Sequence, residues 1–138
     1  MLKITREPNY TIESIKVLSR GLDHNAEQKR GHKPVEDFAF FIRDAASKIV
    51  GGCNGIMYYG CLYIDQLWVD PEYRQQDYGS ELIRAAEDLA KSHGCLFSTL
   101  ETMDWEALDF YKKLGYYLEL ERRGYFKDSI MYSLRKDW

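Results

Sequence analysis

The stretch Arg74-Gln75-Gln76-Asp77-Tyr78-Gly79-Ser80 crowds an arginine, a glycine and several polar side chains into one short loop. It follows a strand-like run ending at Leu67, Trp68 and Val69 and a turn at Asp70-Pro71. It runs directly into Leu82, Ile83, Ala86, Leu89 and Ala90, an apolar stripe at helical spacing. A strand that hands its chain straight to a helix N-terminus leaves several backbone N–H groups unpaired and facing one way. With the positive end of the helix dipole, those donors suit phosphate groups. Arg74 adds a fixed positive charge, and Gly79 lets backbone come close to a ligand. The chemistry expected is anion binding, with a phosphate-bearing cofactor as occupant.

Other residues stand out by type and place. Asp65 interrupts the apolar run Cys61–Val69, where a buried carboxylate is costly and needs a partner or a task. Two-residue periodicity puts it on the strand face of Leu67 and Val69. Glu101 closes the next strand-like run. Phe110 and Tyr111 are adjacent helix aromatics, read as one in the core and one at its rim. Cys53, Cys61 and Cys95 each lie in an apolar run and read as reduced, buried thiols. They form no nucleophile motif, and no cysteine or histidine spacing suits a metal, so no metal site is expected.

The elements that must position these residues follow from periodicity and breakers. Leu2–Arg6 reads as a first strand, Thr11–Leu22 as a helix, and Asp23–Pro34 as a mobile connection or short helix. Val35–Arg43 and Ser47–Tyr59 flank a turn at Asp44-Ala45-Ala46 and form an antiparallel pair leading to Cys61–Val69. After the loop helix, capped by Gly94, come a strand at Cys95–Glu101, a helix at Trp105–Leu114 capped by Asp104, and strands at Tyr116–Glu121 and Ile130–Arg135. This order implies an α/β fold with a mixed sheet and helices on both faces. At 138 residues the chain is read as one domain. With 45% hydrophobic and 30% charged residues it has a globular composition. No run reaches the roughly 18 apolar residues of a membrane span. The start, Met1 to Arg6, lacks the apolar core of a signal peptide, so a cytoplasmic protein is expected. A net charge of −3, with short scattered basic clusters, argues against nucleic acid as a partner.

The loop resembles the acetyl-coenzyme A signature of the GNAT superfamily of N-acetyltransferases, Gln/Arg-x-x-Gly-x-Gly/Ala. Arg74 takes the first position and Gly79 the last, while Asp77 stands where the family has its first glycine. Gly60–Val69 is similar to the family's fourth strand. Ala107-Leu108-Asp109-Phe110-Tyr111-Lys112-Lys113-Leu114-Gly115-Tyr116 is similar to its closing A-x-x-F-Y-x-K-x-G-F/Y helix. The likeness runs from about Phe40 to Trp138.

The resemblance implies a mostly antiparallel sheet with a parallel strand pair at the cofactor site. It implies acetyl-coenzyme A as co-substrate, held by Leu67, Trp68 and Val69 along the pantetheine arm and by Arg74, Gln75, Gln76, Asp77, Tyr78, Gly79 and Ser80 around the pyrophosphate. Asp77 either caps the helix with its side chain or weakens the site by repulsion. The implied reaction is direct attack of a primary amine on the thioester. An amide near Val69 would stabilise the oxyanion, Asp65 (or Glu101) would take the amine proton, and Tyr111 would protonate the departing thiolate. For Asp65 the plain carboxylate reading stays open beside the catalytic one. The acceptor could be a small molecule or a peptide amine, and a homodimer is allowed. The alternative is a non-catalytic acyl-coenzyme A binding or sensing module on the same fold.

Overall fold

A computed structural model covers residues 1–138 and resolves into two compact units, Met1–Val35 and Glu36–Trp138. In the first unit a single helix, α1, spans Ile12–Arg30. Thr11 caps it, its Oγ1 accepting the Ser14 N–H at 3.2 Å. Gly31 ends it in the left-handed region at φ 67°, which its missing side chain permits. The helix therefore runs well past Leu22. Ala26, Glu27, Gln28, Lys29 and Arg30 are all good helix formers, and no breaker lies between Leu22 and Gly31. The strand expected at Leu2–Arg6 does not form. Leu2 and Ile4 are exposed, so their alternation has no sheet to satisfy.

The second unit is built on one six-stranded sheet in the order β1-β2-β3-β4-β6-β5. The strands are β1 (Glu36–Arg43), β2 (Ile49–Tyr58), β3 (Cys61–Val69), β4 (Phe97–Met103), β5 (Tyr117–Arg122) and β6 (Met131–Asp137). All neighbours are antiparallel except β3 and β4, which are parallel because helix α2, Tyr78–Ser92, crosses between them. The mixed, mostly antiparallel sheet with its parallel pair is the architecture read from the sequence.

Apolar residues of alternate strand positions meet the stripe of α2. Phe38, Leu62, Ile64, Leu100 and Leu134 pack with Leu82, Ile83, Ala86 and Ala90 in one cluster that also takes in Tyr111 and Tyr116. Within it sits a closed polar knot. The Tyr116 hydroxyl hydrogen-bonds to Glu87 Oε2 at 2.9 Å and to Ser98 Oγ at 2.8 Å. Lys136 Nζ donates to Glu87 Oε1 at 3.1 Å. Glu87 is only 4% exposed, so a carboxylate in the core is matched at both oxygens.

Two local expectations change. Helix α3 spans only Leu108–Lys113, with Ala107 at its N-cap and no side-chain cap from Asp104. The turn before it closes differently. Glu106 Oε1 accepts the Met103 N–H at 3.0 Å, and Thr102 Oγ1 accepts the Ala107 N–H at 3.2 Å. Cys53, Cys61 and Cys95 are buried free thiols, as their apolar surroundings implied.

Candidate functional site

Parallel pairing of β3 with β4 runs from Cys61 opposite Phe97 to Ile64 opposite Leu100 and stops there. Beyond it β3 continues to Val69 on β2 alone, and β4 continues to Met103 on β6 alone. The two strands part, and the edge of β3 facing β4 loses its partner over Asp65–Val69. An unpaired edge is a template for another extended chain.

The cleft at this parting has a volume of about 610 Å³. Leu67, Trp68 and Val69 form one wall, and Arg74, Gln75, Asp77, Tyr78, Gly79 and Ser80 form the end. Of the ten residues expected to hold the cofactor, Gln76 alone is outside its lining. The opposite wall comes from α3 and the turn before it: Glu106, Ala107, Phe110, Lys113 and Leu114. Sequence reading did not select those residues as site residues, although the A-x-x-F-Y-x-K block contains most of them.

The loop geometry explains its residue types. Asp70 starts a short 3-10 turn at Pro71–Tyr73, its carboxylate accepting the Glu72 N–H at 3.0 Å. Arg74 Nε donates to Val69 O at 2.8 Å and ties the loop back to the strand end. The N–H groups of Tyr78, Gly79 and Ser80 lack partners, because the first helical bond of α2 is Glu81 N–H to Asp77 O at 3.0 Å. Three donors at the positive end of a 15-residue helix thus face the cleft end. Gly79 has a second use: a Cβ there would come 3.2 Å from Phe110 Cζ, so its absence lets α2 pack against α3.

Asp77 does not cap α2 with its side chain. It stands at φ 66°, and Gln75 at φ 61°. Both occupy the left-handed region, where glycine is relaxed and other residues are strained. The backbone at Asp77 thus has the conformation a glycine would supply, with a carboxylate in its place.

Asp65 also departs from expectation. Gly55 pairs with Ile64 and Asn54 with Gln66, so Asp65 is the extra residue of a β-bulge with no partner on β2. The bulge shifts the alternation. Leu67 and Val69 pack with Ile64 on the core face, while Asp65 is exposed rather than sharing that face. It is therefore not a buried acid. It lines a second cavity with Asp37, Asn54 and Tyr63. Glu101 is close by, accepting from the Tyr63 hydroxyl at 3.4 Å.

Tyr111 and Phe110 divide as core and rim: Phe110 lines the cleft, and Tyr111 is buried at 7% exposure. Their rings meet edge to face at 5.1 Å. Burial pushes the Tyr111 hydroxyl up to about 12, helped by Glu106 and Cys53. No protein group hydrogen-bonds that hydroxyl. Asn54 Oδ1 is the one fully buried side-chain oxygen or nitrogen without a partner, so the Tyr111 oxygen keeps contact with solvent. Burial likewise pushes the Cys53 thiol up to about 11, and those of Cys61 and Cys95 upward, which leaves all three protonated at neutral pH.

Known proteins resemble this chain in sequence and in fold. The chain is 37% identical over 87 residues to blasticidin-S acetyltransferase of Streptomyces morookaense, a match covering 62% of this chain and 64% of that protein. Over 56 residues it is 39% identical to the thialysine N-epsilon-acetyltransferase of Bos taurus, covering 39% of this chain and 33% of the other. It thus spans less than two thirds of these curated relatives. An acetyltransferase structure from Bacillus cereus ATCC 14579 superposes with a TM-score of 0.77 at 29% identity over 98% of both chains. PaiA N-acetyltransferase of Thermoplasma acidophilum, solved with coenzyme A, superposes at 0.59 with 21% identity over 94% of this chain and 81% of its own. The sequence model of the acetyltransferase (GNAT) family matches residues 6–116, most of the chain, and the chain therefore belongs to that family.

Proposed function

We propose that this chain is an N-acetyltransferase that passes the acetyl group of acetyl-coenzyme A directly to a primary amine. One observation carries the reading. The β3–β4 pair parts after Ile64 and Leu100, and the cleft so formed ends on the unpaired amides of Tyr78, Gly79 and Ser80. The free edge of Leu67–Val69 suits the amide-bearing pantetheine arm. The α2 N-terminus, with Arg74 and Lys113 on the lining, suits the pyrophosphate.

In the transfer, a nitrogen–carbon bond forms as the carbon–sulfur bond breaks. The incoming ammonium first gives its proton to Asp65, or to Glu101 through water, both exposed and close to the parting of the strands. A strand-end amide near Val69 polarises the carbonyl. Tyr111 supplies the proton that the thiolate takes up, and solvent restores it. Burial keeps that hydroxyl protonated at neutral pH, and its freedom from any protein partner leaves it able to donate. The cysteines are protonated and buried, which favours direct transfer over an acyl-enzyme. The relatives named for blasticidin-S and thialysine support a small-molecule acceptor over a protein.

Asp77 keeps a second reading in play, a non-catalytic acyl-coenzyme A sensor, because its carboxylate opposes the phosphates. Melting with and without acetyl-coenzyme A tests both. A ligand that binds only the folded state at a hundred times its Kd adds about 2.7 kcal/mol. Pantetheine lacking the phosphates should do far less. No shift at millimolar acetyl-coenzyme A rejects both readings, and a shift without turnover on a broad amine panel leaves the sensor.

A further inference from the structure

The sheet face opposite the α2 core carries two cavities that share Ala39 and Asn54. Register explains why they adjoin. Phe41 pairs with Gly52 and Gly52 with Trp68, so two exposed aromatic rings stand in one row with a glycine between them. A Cβ on Gly52 would lie 2.9 Å from Phe41 Cδ1 and 2.6 Å from Phe40 O. The missing side chain lets the Phe41 ring and the β1 backbone come close over Gly52, and Phe41 and Trp68 line the same slot. This slot belongs to the smaller cavity, about 350 Å³, whose lining holds no charged residue.

The next row, Ala39–Asn54–Gln66, joins the slot to the larger cavity of about 610 Å³. There Asp37 and Asp65 bring two carboxylates and no cation to the lining. Asn54, common to both cavities, holds a side-chain oxygen with no partner. An uncompensated acidic end therefore opens into an apolar, aromatic-walled slot. The acidic end is at the bulge, where β3 leaves β4.

We infer that this groove is the acceptor site, and that it takes a small molecule with a primary ammonium at one end and a planar, apolar ring at the other. The ammonium sits at Asp65 and Asp37, and the ring sits between Phe41 and Trp68. Charge complementarity selects the cation. The two rings give a planar group more contact than an alkyl chain can make. Asp65 and Trp68 are three residues apart, about 10 Å along a strand. The linker must therefore span several carbons, not one. The inference rests on the acetyltransferase reading and narrows its substrate.

Calorimetric titration with 4-phenylbutylammonium, benzylammonium and n-butylammonium, at saturating coenzyme A, tests it. The four-carbon aryl amine should bind at least about tenfold tighter than the other two. Asp37→Asn with Asp65→Asn should cost it about tenfold or more, with the loss shrinking at high salt. Phe41→Ala should erase its advantage over n-butylammonium. All three positions are exposed, and unchanged melting confirms that each variant is folded. Equal affinities for the three amines, no binding, or folded variants that bind like the parent would overturn the inference. Tight binding of the aryl amine with no acetyl transfer keeps the groove and removes the enzyme reading. Transfer to amines without preference for ring or length does the reverse.

Discussion

Tyr111 and Tyr116 lie with their rings 6.0 Å apart in one core, yet their hydroxyls have opposite surroundings. Tyr116 meets both Glu87 and Ser98, and Lys136 closes the knot. Tyr111 meets no protein partner. The same contrast separates the α2–β4–β6 core from the cleft. In the core Glu87, Ser98, Tyr116 and Lys136 match one another; in the cleft the β3 edge and the α2 amides are left open. Matched buried groups hold a structure together, because leaving one unmade costs its full desolvation. Unmatched groups at a surface are what a ligand or a reacting atom can use.

The largest expected effect tests the open side. Tyr111→Phe removes one oxygen that bonds to nothing in the protein, so melting should hardly move. If the hydroxyl is the general acid, turnover with saturating acetyl-coenzyme A should fall by about 10²–10⁴-fold. A rate within about threefold of the parent would make Tyr111 a packing residue and leave water to protonate the sulfur.

The mirror experiment is Tyr116→Phe. It strips Glu87 and Ser98 of a partner in the core and should cost about 1–3 kcal/mol in chemical denaturation. Turnover per folded molecule should stay near the parent's. If the costs of the two substitutions were exchanged, the division between a structural and a reactive tyrosine would be wrong.

Alkaline pH sharpens the same contrast. The folded Tyr111 value of about 12 lies above the unfolded value near 10. Its stabilising contribution is complete below pH 10 and is lost as pH rises toward 12, by about 2.7 kcal/mol at most. Burial also raises Tyr116, which acts in the same direction. Stability should therefore fall above pH 10, and Tyr111→Phe should flatten that fall. A melting profile indifferent to the substitution would mean that Tyr111 is better solvated than its burial implies.

The smallest effect concerns Asp77. Asp77→Gly removes a carboxylate from the cleft end and places glycine at φ 66°. Relief of the left-handed strain should stabilise the fold by up to about 1 kcal/mol. Loss of the repulsion should tighten acetyl-coenzyme A binding, by a margin that shrinks with salt. Weaker binding, measured by calorimetry, would show that the carboxylate makes a favourable contact with the bound ligand.

Much of this molecule was legible because its signals are local. Leu82, Ile83, Ala86 and Ala90 carry a helical period, and α2 formed under them. Arg74 to Ser80 sits between a strand and that helix, and the loop became the cleft end. Other features depend on what a residue meets far along the chain. Leu2–Arg6 alternates like a strand but found no strand to pair with. Asp65 looked like a buried acid until the partner register at Asn54 and Gly55 made it a bulge on the exposed face. Asp104 had the chemistry of a cap, but Glu106 and Thr102 closed the turn, and α3 began later.

The sequence by itself determined the family, most of the order of elements and the loop that ends the cleft, because periodicity, breakers and short motifs act over a few residues. Tertiary structure decided which polar groups are matched and which are left open. It joined Glu87 to Lys136 across 49 positions of chain and set Phe41 and Trp68 in one row on either side of Gly52. Hydrogen bonding and burial are settled by neighbours in space, and those neighbours exist only once the strands have found their register.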